Sequence, residues 1–166
     1  DYKNVIDEHL NLRSKVEKIL NENRLTVERI IGVSIGNIHV GYFADKYKPK
    51  FVDMVVPGSS LAGCLWTGIR TKSYKKFFHS KGLSRANLEK IWIELSYSKY
   101  HRFLLDDACS VRIWVSKADK LIKPGEFFKL QSLFAGRTGI EIKQNGFLGH
   151  YLTLLKVWYY WKPNSK

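Results

Sequence analysis

A turn rich in small residues precedes the clearest helical pattern of the sequence and has the composition of an anion site. It runs Val55-Val56-Pro57-Gly58-Ser59-Ser60-Leu61-Ala62-Gly63. Pro57 and Gly58 favour a sharp turn out of a strand, and Ser59 or Ser60 is a good N-cap for the helix that follows. A helix N-terminus presents unpaired N–H groups and a positive dipole end to an anion. The segment therefore predicts either a phosphate-binding turn or an ordinary strand-to-helix turn with a serine cap.

Histidine and cysteine, the other residue types that often carry chemistry, show no diagnostic spacing. The histidines are scattered at His9, His39, His79, His101 and His150. No serine or carboxylate lies at a spacing that indicates a catalytic triad. Cys64 and Cys109 form no CxxC pair, which argues against a structural zinc site. Because the sequence has no secretory signal, we expect reduced thiols and a cytoplasmic protein.

An aromatic run near the end of the sequence is flanked by lysines. It reads Trp158-Tyr159-Tyr160-Trp161, between Lys156 and Lys162. Aromatic faces interleaved with cations suit stacking on single-stranded RNA. In a strand, however, successive side chains point to opposite faces, so about half of the run would lie in the core. Base stacking and core packing both remain open.

The elements that position these residues follow from hydrophobic periodicity. Helices are predicted at 1–22, 59–78 and 84–94, and an exposed loop at 44–50. Strands are predicted at 24–43, 51–56, 111–115, 138–142 and 152–161. Glycines interrupt the first of these strands, which indicates a bulge or a close approach by a ligand. The order of elements predicts an α+β domain with helices packed on an antiparallel sheet.

The bulk composition is that of one globular domain with a basic surface. The 166 residues are 45% hydrophobic and carry 28 Lys and Arg against 15 Asp and Glu, a formal charge of +13. Such a charge favours a polyanionic partner, and nucleic acid is favoured over a membrane surface or an acidic protein. No apolar run approaches the roughly 20 residues of a membrane span.

The serine turn also resembles a known signature. The string VPGSSLAGCL, followed by Arg70, is similar to the PGSSLKG-x-hydrophobic-R motif of the repeat-associated mysterious protein (RAMP) superfamily, in particular the backbone subunits of type III CRISPR effector complexes. Segments 36–41, 103–108 and 137–146 resemble further pieces of that family in the right order. Ala62 stands where the family has Lys, and Trp66 where an Arg is common. The family's closing half is absent, which implies a fragment or a reduced member.

The resemblance implies a ferredoxin-like, RNA-recognition-motif-like antiparallel sheet with an extra N-terminal helix. It divides the chain into a helix at 1–23 and an RNA-binding domain at 24–166. The function implied is that of a guide-RNA-binding subunit in a cytoplasmic antiviral ribonucleoprotein, with guide RNA, target RNA and other effector subunits as partners and no membrane. The RNA contacts implied are Gly58, Ser59, Ser60, Arg70, Lys72, Lys75 and Arg137.

The resemblance also implies a metal-dependent endoribonuclease activity, since backbone subunits of this kind cut target RNA with an aspartate in the loop before the motif. Asp45 and Asp53 are the candidates, and Asp45 has the more loop-like context. One carboxylate needs RNA phosphates to complete the coordination of a divalent ion such as Mg²⁺. A solvated loop aspartate is the other interpretation.

Two alternative functions stay open. Segment 32–41 is also similar to the first motif of class III nucleotide cyclases, G-I-x-x-G-x-V-x-x-G. Leu61 and Cys64, however, stand where that family has its catalytic Asn and Arg. The other alternative is a basic nucleic-acid-binding subunit of an unrelated assembly, which the charge alone permits.

Overall fold

In the computed structural model, which describes residues 2–146 and 149–160, four strands form one parallel sheet. The strands follow one another across the sheet in chain order. They are β1 (Arg29–Val33), β2 (Phe51–Val55), β3 (Ser110–Ser116) and β4 (Ile140–Asn145). Parallel neighbours need a crossover from the end of one strand to the start of the next. The carboxyl ends of all four strands therefore lie at one edge of the sheet.

Helices supply these crossovers. Between β1 and β2 lies α2 (Asn37–Tyr47), and between β3 and β4 lies α6 (Pro124–Ser132). The longer crossover from β2 to β3 contains α3 (Leu61–Thr67), α4 (Lys72–Ser80) and α5 (Arg85–Ile91). Before the sheet lies α1 (Tyr2–Glu22), and after it lies α7 (His150–Tyr160).

The two faces of the sheet bury different helices. Val52 and Met54 of β2 join Ala44 of α2 and Phe127 and Leu130 of α6 in one core cluster. Val55 and Trp114 instead join Val157 of α7 in another. Because side chains alternate along a strand, α7 covers the face opposite α2 and α6. The sheet is the middle layer of three.

A separate cluster holds the helices that lie beside the sheet. Trp92, Leu88 and Phe78 are buried between α3, α4 and α5, with Val5 and Ile6 of α1 packed against them. Ser84 caps α5 in a reciprocal capping box with Asn87, the arrangement that its position before the helix predicts.

The predicted antiparallel, ferredoxin-like sheet is wrong, because the observed sheet is parallel throughout. The main error lies in the predicted strand 24–43. Its β-branched residues continue beyond β1 into a 3-10 turn at 34–36 and then into α2. The predicted strand 152–161 is helix α7 as far as it is described, and Trp161 lies outside the described residues. Short apolar runs fit a strand or a buried helix equally well.

Other elements agree with the sequence pattern. Strands β2, β3 and β4 overlap the predicted runs 51–56, 111–115 and 138–142, and α1 and α5 overlap the predicted first and last helices. The predicted helix 59–78 is two helices, α3 and α4, which are broken at Gly68. A Cβ at Gly68 would lie 2.8 Å from the Leu121 carbonyl oxygen and 2.9 Å from that of Cys64. The division of the chain at residue 23 stays a prediction.

Candidate active site

The turn from β1 into α2 presents a serine in a strained conformation. The segment reads Gly32-Val33-Ser34-Ile35-Gly36. Ser34 has φ +50°, a left-handed conformation that residues with a side chain seldom adopt. Gly32 permits the close return of the chain, since a Cβ there would lie 2.2 Å from Val40 Cγ2. A serine on a sharp strand-to-helix turn, in the pattern G-x-S-x-G, is the geometry of a nucleophile elbow.

A histidine and an aspartate complete the arrangement at the same edge of the sheet. His150 Nε2 lies 2.8 Å from Ser34 Oγ. His150 Nδ1 lies 2.7 Å from Asp119 Oδ2. With the Nδ1–H donating to the carboxylate, Nε2 is left to accept the serine hydroxyl. The chain order Ser, Asp, His is the order found in α/β hydrolases.

The aspartate is buried and held by backbone donors. Asp119 follows β3, and Asp119 Oδ1 accepts the N–H groups of Leu121 at 2.7 Å and Ile122 at 2.9 Å. Asp119 and His150 are 5% and 6% exposed, whereas Ser34 is half-buried. The histidine and aspartate are therefore shielded from solvent while the serine hydroxyl remains within reach of a substrate.

An apolar groove of about 530 Å³ begins beside the triad and follows α7. Val33 and Tyr151, which line it, are the chain neighbours of Ser34 and His150. The other lining residues are Val55, Leu154, Leu155, Val157 and Trp158. The Tyr151 hydroxyl accepts a hydrogen bond of 3.2 Å from Arg70 Nη1. The groove therefore offers an apolar surface next to Ser34.

The predicted serine turn is the link from β2 to α3, and its polar groups contact the protein itself. Ser60 caps α3 by accepting the Gly63 N–H at 3.0 Å. Ser59 Oγ donates to the buried carboxylate of Glu126 at 2.6 Å. A Cβ at Gly58 would lie 2.1 Å from Cys64 Sγ. The segment thus has the geometry of a capped turn packed against α6.

The four basic residues that were expected to contact RNA have different neighbours in the structure. Arg70 stacks on Tyr151, with the guanidinium carbon 5.8 Å from the ring centroid. Lys72 is the first residue of α4, and Lys75 Nζ lies 5.4 Å from the Trp66 ring centroid. Arg137 donates to four backbone carbonyls and so holds the loop before β3. These carbonyls belong to Phe103, Leu104, Asp106 and Cys109.

The two candidate catalytic aspartates occupy different environments. Asp45 lies in α2, not in the predicted loop, and pairs with Lys48 at 3.2 Å. Asp53 is buried in the middle of the sheet, where Oδ1 and Oδ2 accept from Arg112 at 2.7 and 3.2 Å. Among the described residues, no three His, Cys, Asp or Glu side chains form a group suited to a metal ion. The Mg²⁺ requirement stays a prediction.

The sequence did contain a signal for the triad serine. G-x-S-x-G between a strand and a helix is a recognised pattern, but within the predicted strand 24–43 Gly32 and Gly36 indicate only interruptions of one long strand. The partners carry no local signal, because Asp119 is 31 residues and Ser34 is 116 residues from His150 in sequence. Only the fold brings them together.

Comparisons with known proteins identify this architecture. No protein-family model and no curated protein sequence matches the chain. Among solved structures, the alpha/beta hydrolase enzyme MGS-M2 from a Medee basin deep-sea metagenome library matches with TM-score 0.51 and 15% identity, over 92% of this chain and 72% of that one. Paleococcus ferrophilus monoacylglycerol lipase matches with TM-score 0.53 and 15% identity, over 92% and 74%. The chain has the α/β-hydrolase fold.

The name of a further match refers to glycosylation and not to a hydrolase. The Glycosylation Associate Protein (Gap123) complex from Streptococcus agalactiae matches with TM-score 0.60 and 13% identity. The match covers 91% of this chain and 30% of that one. At this level of identity the likeness concerns the fold.

The α/β-hydrolase fold corrects the resemblance to the RAMP superfamily. Enzymes such as the lipase and MGS-M2 share the fold of this chain. The assignment to a CRISPR effector with endoribonuclease activity, and with guide RNA, target RNA and effector subunits as partners, is wrong. The cyclase and nucleic-acid-subunit alternatives do not fit either. The motif VPGSSLAG is not specific to the RAMP superfamily, because a strand-to-helix turn with a serine cap has the same composition in unrelated folds.

None of the described helices combines the length and the apolar character needed to cross a membrane.

Proposed function

We propose that the chain is a serine hydrolase that cleaves carboxylic esters through a covalent acyl intermediate on Ser34. The observation that carries the proposal is the continuous hydrogen-bonded line from Ser34 through His150 to Asp119. A serine hydroxyl is a weak nucleophile until a neighbouring base takes its proton. His150 Nε2 is within hydrogen-bond reach of that proton, and Asp119 keeps the imidazole in the required tautomer.

The reaction follows from these three groups. Ser34 Oγ attacks the ester carbonyl carbon while His150 takes the hydroxyl proton. His150 then gives this proton to the leaving alcohol as the ester bond breaks, and the acyl group stays on Ser34. A water molecule, deprotonated by His150, then attacks the acyl carbon. The bond from that carbon to Ser34 Oγ breaks, His150 returns the proton to Ser34 Oγ, and the acid is released. The Ile35 N–H, which belongs to the residue after the nucleophile, is the donor expected to stabilise the oxyanion.

The apolar groove supports a substrate with a hydrocarbon acyl group. It is lined by aliphatic and aromatic side chains, from Val33 beside Ser34 to Trp158 on α7. Residues 151 and 158 are roughly 10 Å apart along the helix. A chain of several methylenes therefore has apolar surface to contact, and each one buried adds up to about 0.8 kcal/mol of favourable transfer free energy.

The proposal is tested by labelling and by ester hydrolysis. A fluorophosphonate probe should modify the protein at Ser34, identified by peptide mass spectrometry. p-Nitrophenyl esters should be hydrolysed, and Ser34→Ala should lower kcat by roughly 10⁴- to 10⁶-fold with little change in fold. Ser80→Ala, at the exposed end of α4, is the matched control and should retain the activity. Labelling of another residue, or equal hydrolysis by Ser34→Ala, would refute the proposed nucleophile.

A further inference from the structure

The Asn37 side chain ties the serine turn to the neighbouring strand. Asn37 is the first residue of α2 and is 1% exposed. Asn37 Nδ2 donates to the Ser34 carbonyl at 3.0 Å and to the Val55 carbonyl at 2.8 Å. Val55 is the last residue of β2. One buried amide group therefore fixes the turn after β1 to the end of β2.

The orientation of this amide is determined by its surroundings. Two carbonyl oxygens face the Asn37 nitrogen, and only an NH₂ group can donate to both. Asn37 Oδ1 is buried without a hydrogen-bond partner in the described part of the chain. A Cβ at Gly32 would lie 2.6 Å from Asn37 Oδ1, so the glycine of the turn also makes room for the amide.

The hydrogen bond from Asn37 Nδ2 to the Ser34 carbonyl holds the same peptide group that carries the proposed oxyanion donor, the Ile35 N–H. The Ser34 carbonyl and the Ile35 N–H belong to the same peptide group. Because a trans peptide is planar, its C=O and N–H point in opposite directions. Holding the Ser34 carbonyl toward Asn37 therefore aims the Ile35 N–H to the other side, and rotation of this peptide would move both together.

We propose that Asn37 is a positioning residue for oxyanion stabilisation, which it achieves by fixing the Ser34–Ile35 peptide. The inference rests on the proposed function of Ser34. Ser34 at φ +50° is in a conformation that relaxes unless the surroundings hold it. The Asn37 backbone N–H also donates to the Ser34 carbonyl. The side-chain amide adds a second donation to that carbonyl and, through the Val55 carbonyl, the link to β2 that the backbone cannot make.

The test compares kcat with KM in Asn37→Ala. Removing a whole oxyanion donor costs about 10²- to 10³-fold in kcat, and a misaimed donor should cost about 10- to 100-fold, with KM changed little. An alkyl boronic acid, which forms a tetrahedral adduct on the serine, should bind more weakly by a similar factor. Asn37→Ser retains one short donor and should have an intermediate kcat.

Tyr97→Phe is the matched control, because the Tyr97 hydroxyl donates to the Asn37 carbonyl at 2.6 Å and leaves the Ser34–Ile35 peptide alone. It should lower Tm while kcat stays near the wild-type value. A wild-type kcat in Asn37→Ala, or losses of kcat that follow Tm equally in both variants, would overturn the inference. If Asn37→Ala does not fold, Asn37→Ser decides by the same comparison. Failure of the wild type to be labelled at Ser34 overturns the proposed function instead, and the inference with it.

Discussion

Asp119 illustrates how a single side chain acquires a role from its contacts. One carboxylate oxygen accepts from two backbone N–H groups, and the other accepts from His150. The backbone fixes the carboxylate, and the carboxylate fixes the imidazole. The residue is thus a rigid support for His150, the base of the proposed mechanism. An isosteric change that alters only the hydrogen-bonding capacity of residue 119 isolates that role.

Asp119→Asn should disable the base without disturbing the packing. The amide oxygen must remain facing Leu121 and Ile122, so the NH₂ group faces His150 Nδ1. Nδ1 then has to accept, and the proton moves to Nε2, where it prevents the acceptance of the Ser34 hydroxyl. We expect kcat for ester hydrolysis to fall by about 10³- to 10⁴-fold at nearly constant KM.

Asp7→Asn, an exposed position on α1, controls for the loss of one negative charge and should behave as wild type. An Asp119→Asn variant with a wild-type kcat would show that the carboxylate has no part in orienting His150.

At the scale of elements, the turn between β1 and α2 depends on close contact between strand and helix. Gly32 lies where a Cβ would meet Val40 Cγ2 at 2.2 Å, whereas a Cβ at Gly36 would meet nothing within 4 Å. Val40 is β-branched, and such a side chain has essentially one χ1 rotamer in a helix. Packing therefore excludes a side chain at Gly32 but leaves room for one at Gly36.

Gly32→Ala should destabilise the protein by about 1–3 kcal/mol, the usual cost of overpacking. Gly36→Ala should be neutral or slightly stabilising, because Gly36 has φ −60° and open space around it, and alanine reduces the freedom of the unfolded chain. Urea unfolding of the two variants measures the difference. Equal free energies of unfolding would contradict the packing argument.

The elements also show which parts of the structure can be predicted from the sequence. Strand β2 and the capped helix α5 were predicted because their signals are local. Helix α2 was missed because Ile38 and Val40 favour strands intrinsically, whereas in the structure they are buried helical residues. Tertiary burial overrode propensity. For the triad, Ser34 had a local motif, but His150 is an isolated histidine whose role depends on a parallel sheet that the sequence pattern did not reveal.

At the scale of the whole molecule, α1 is anchored by a buried arginine. Arg13 is 2% exposed and stacks on Tyr42, with the guanidinium carbon 4.4 Å from the ring centroid. Arg13 Nη2 donates to the Glu94 carbonyl at 2.6 Å, and Arg13 Nε donates to His39 Nδ1 at 3.2 Å. His39 Nε2 lies 3.1 Å from His9 Nδ1. The anchor therefore needs His39 in its neutral form.

Acid should weaken this anchor. Burial, followed by Arg13 and His9, lowers the pKa of His39 from 6.5 to about 4. As the pH falls, His39 is therefore protonated near pH 6.5 in the unfolded chain but only near pH 4 in the folded chain. The stability from this group is complete above pH 6.5 and declines as the pH falls toward 4. Burial also lowers the pKa of His9, in the same direction.

We expect Tm to drop less between pH 7 and pH 5 in His39→Asn than in the wild type, since asparagine retains an acceptor near Nδ1 and does not titrate. Differential scanning calorimetry at fixed ionic strength measures both slopes. Parallel Tm profiles for the two proteins would exclude His39 as a source of acid sensitivity.

The wide spacing of Ser34, Asp119 and His150 along the chain also affects when the proposed nucleophile becomes reactive during folding. Contacts between residues 116 positions apart, as Ser34 and His150 are, form only after much of the chain has lost its conformational freedom. A partly folded chain in which β1 and β2 pair before α7 docks would have Ser34 without His150 beside it. The rate at which Ser34 becomes open to covalent modification during refolding would therefore report when α7 docks on the sheet.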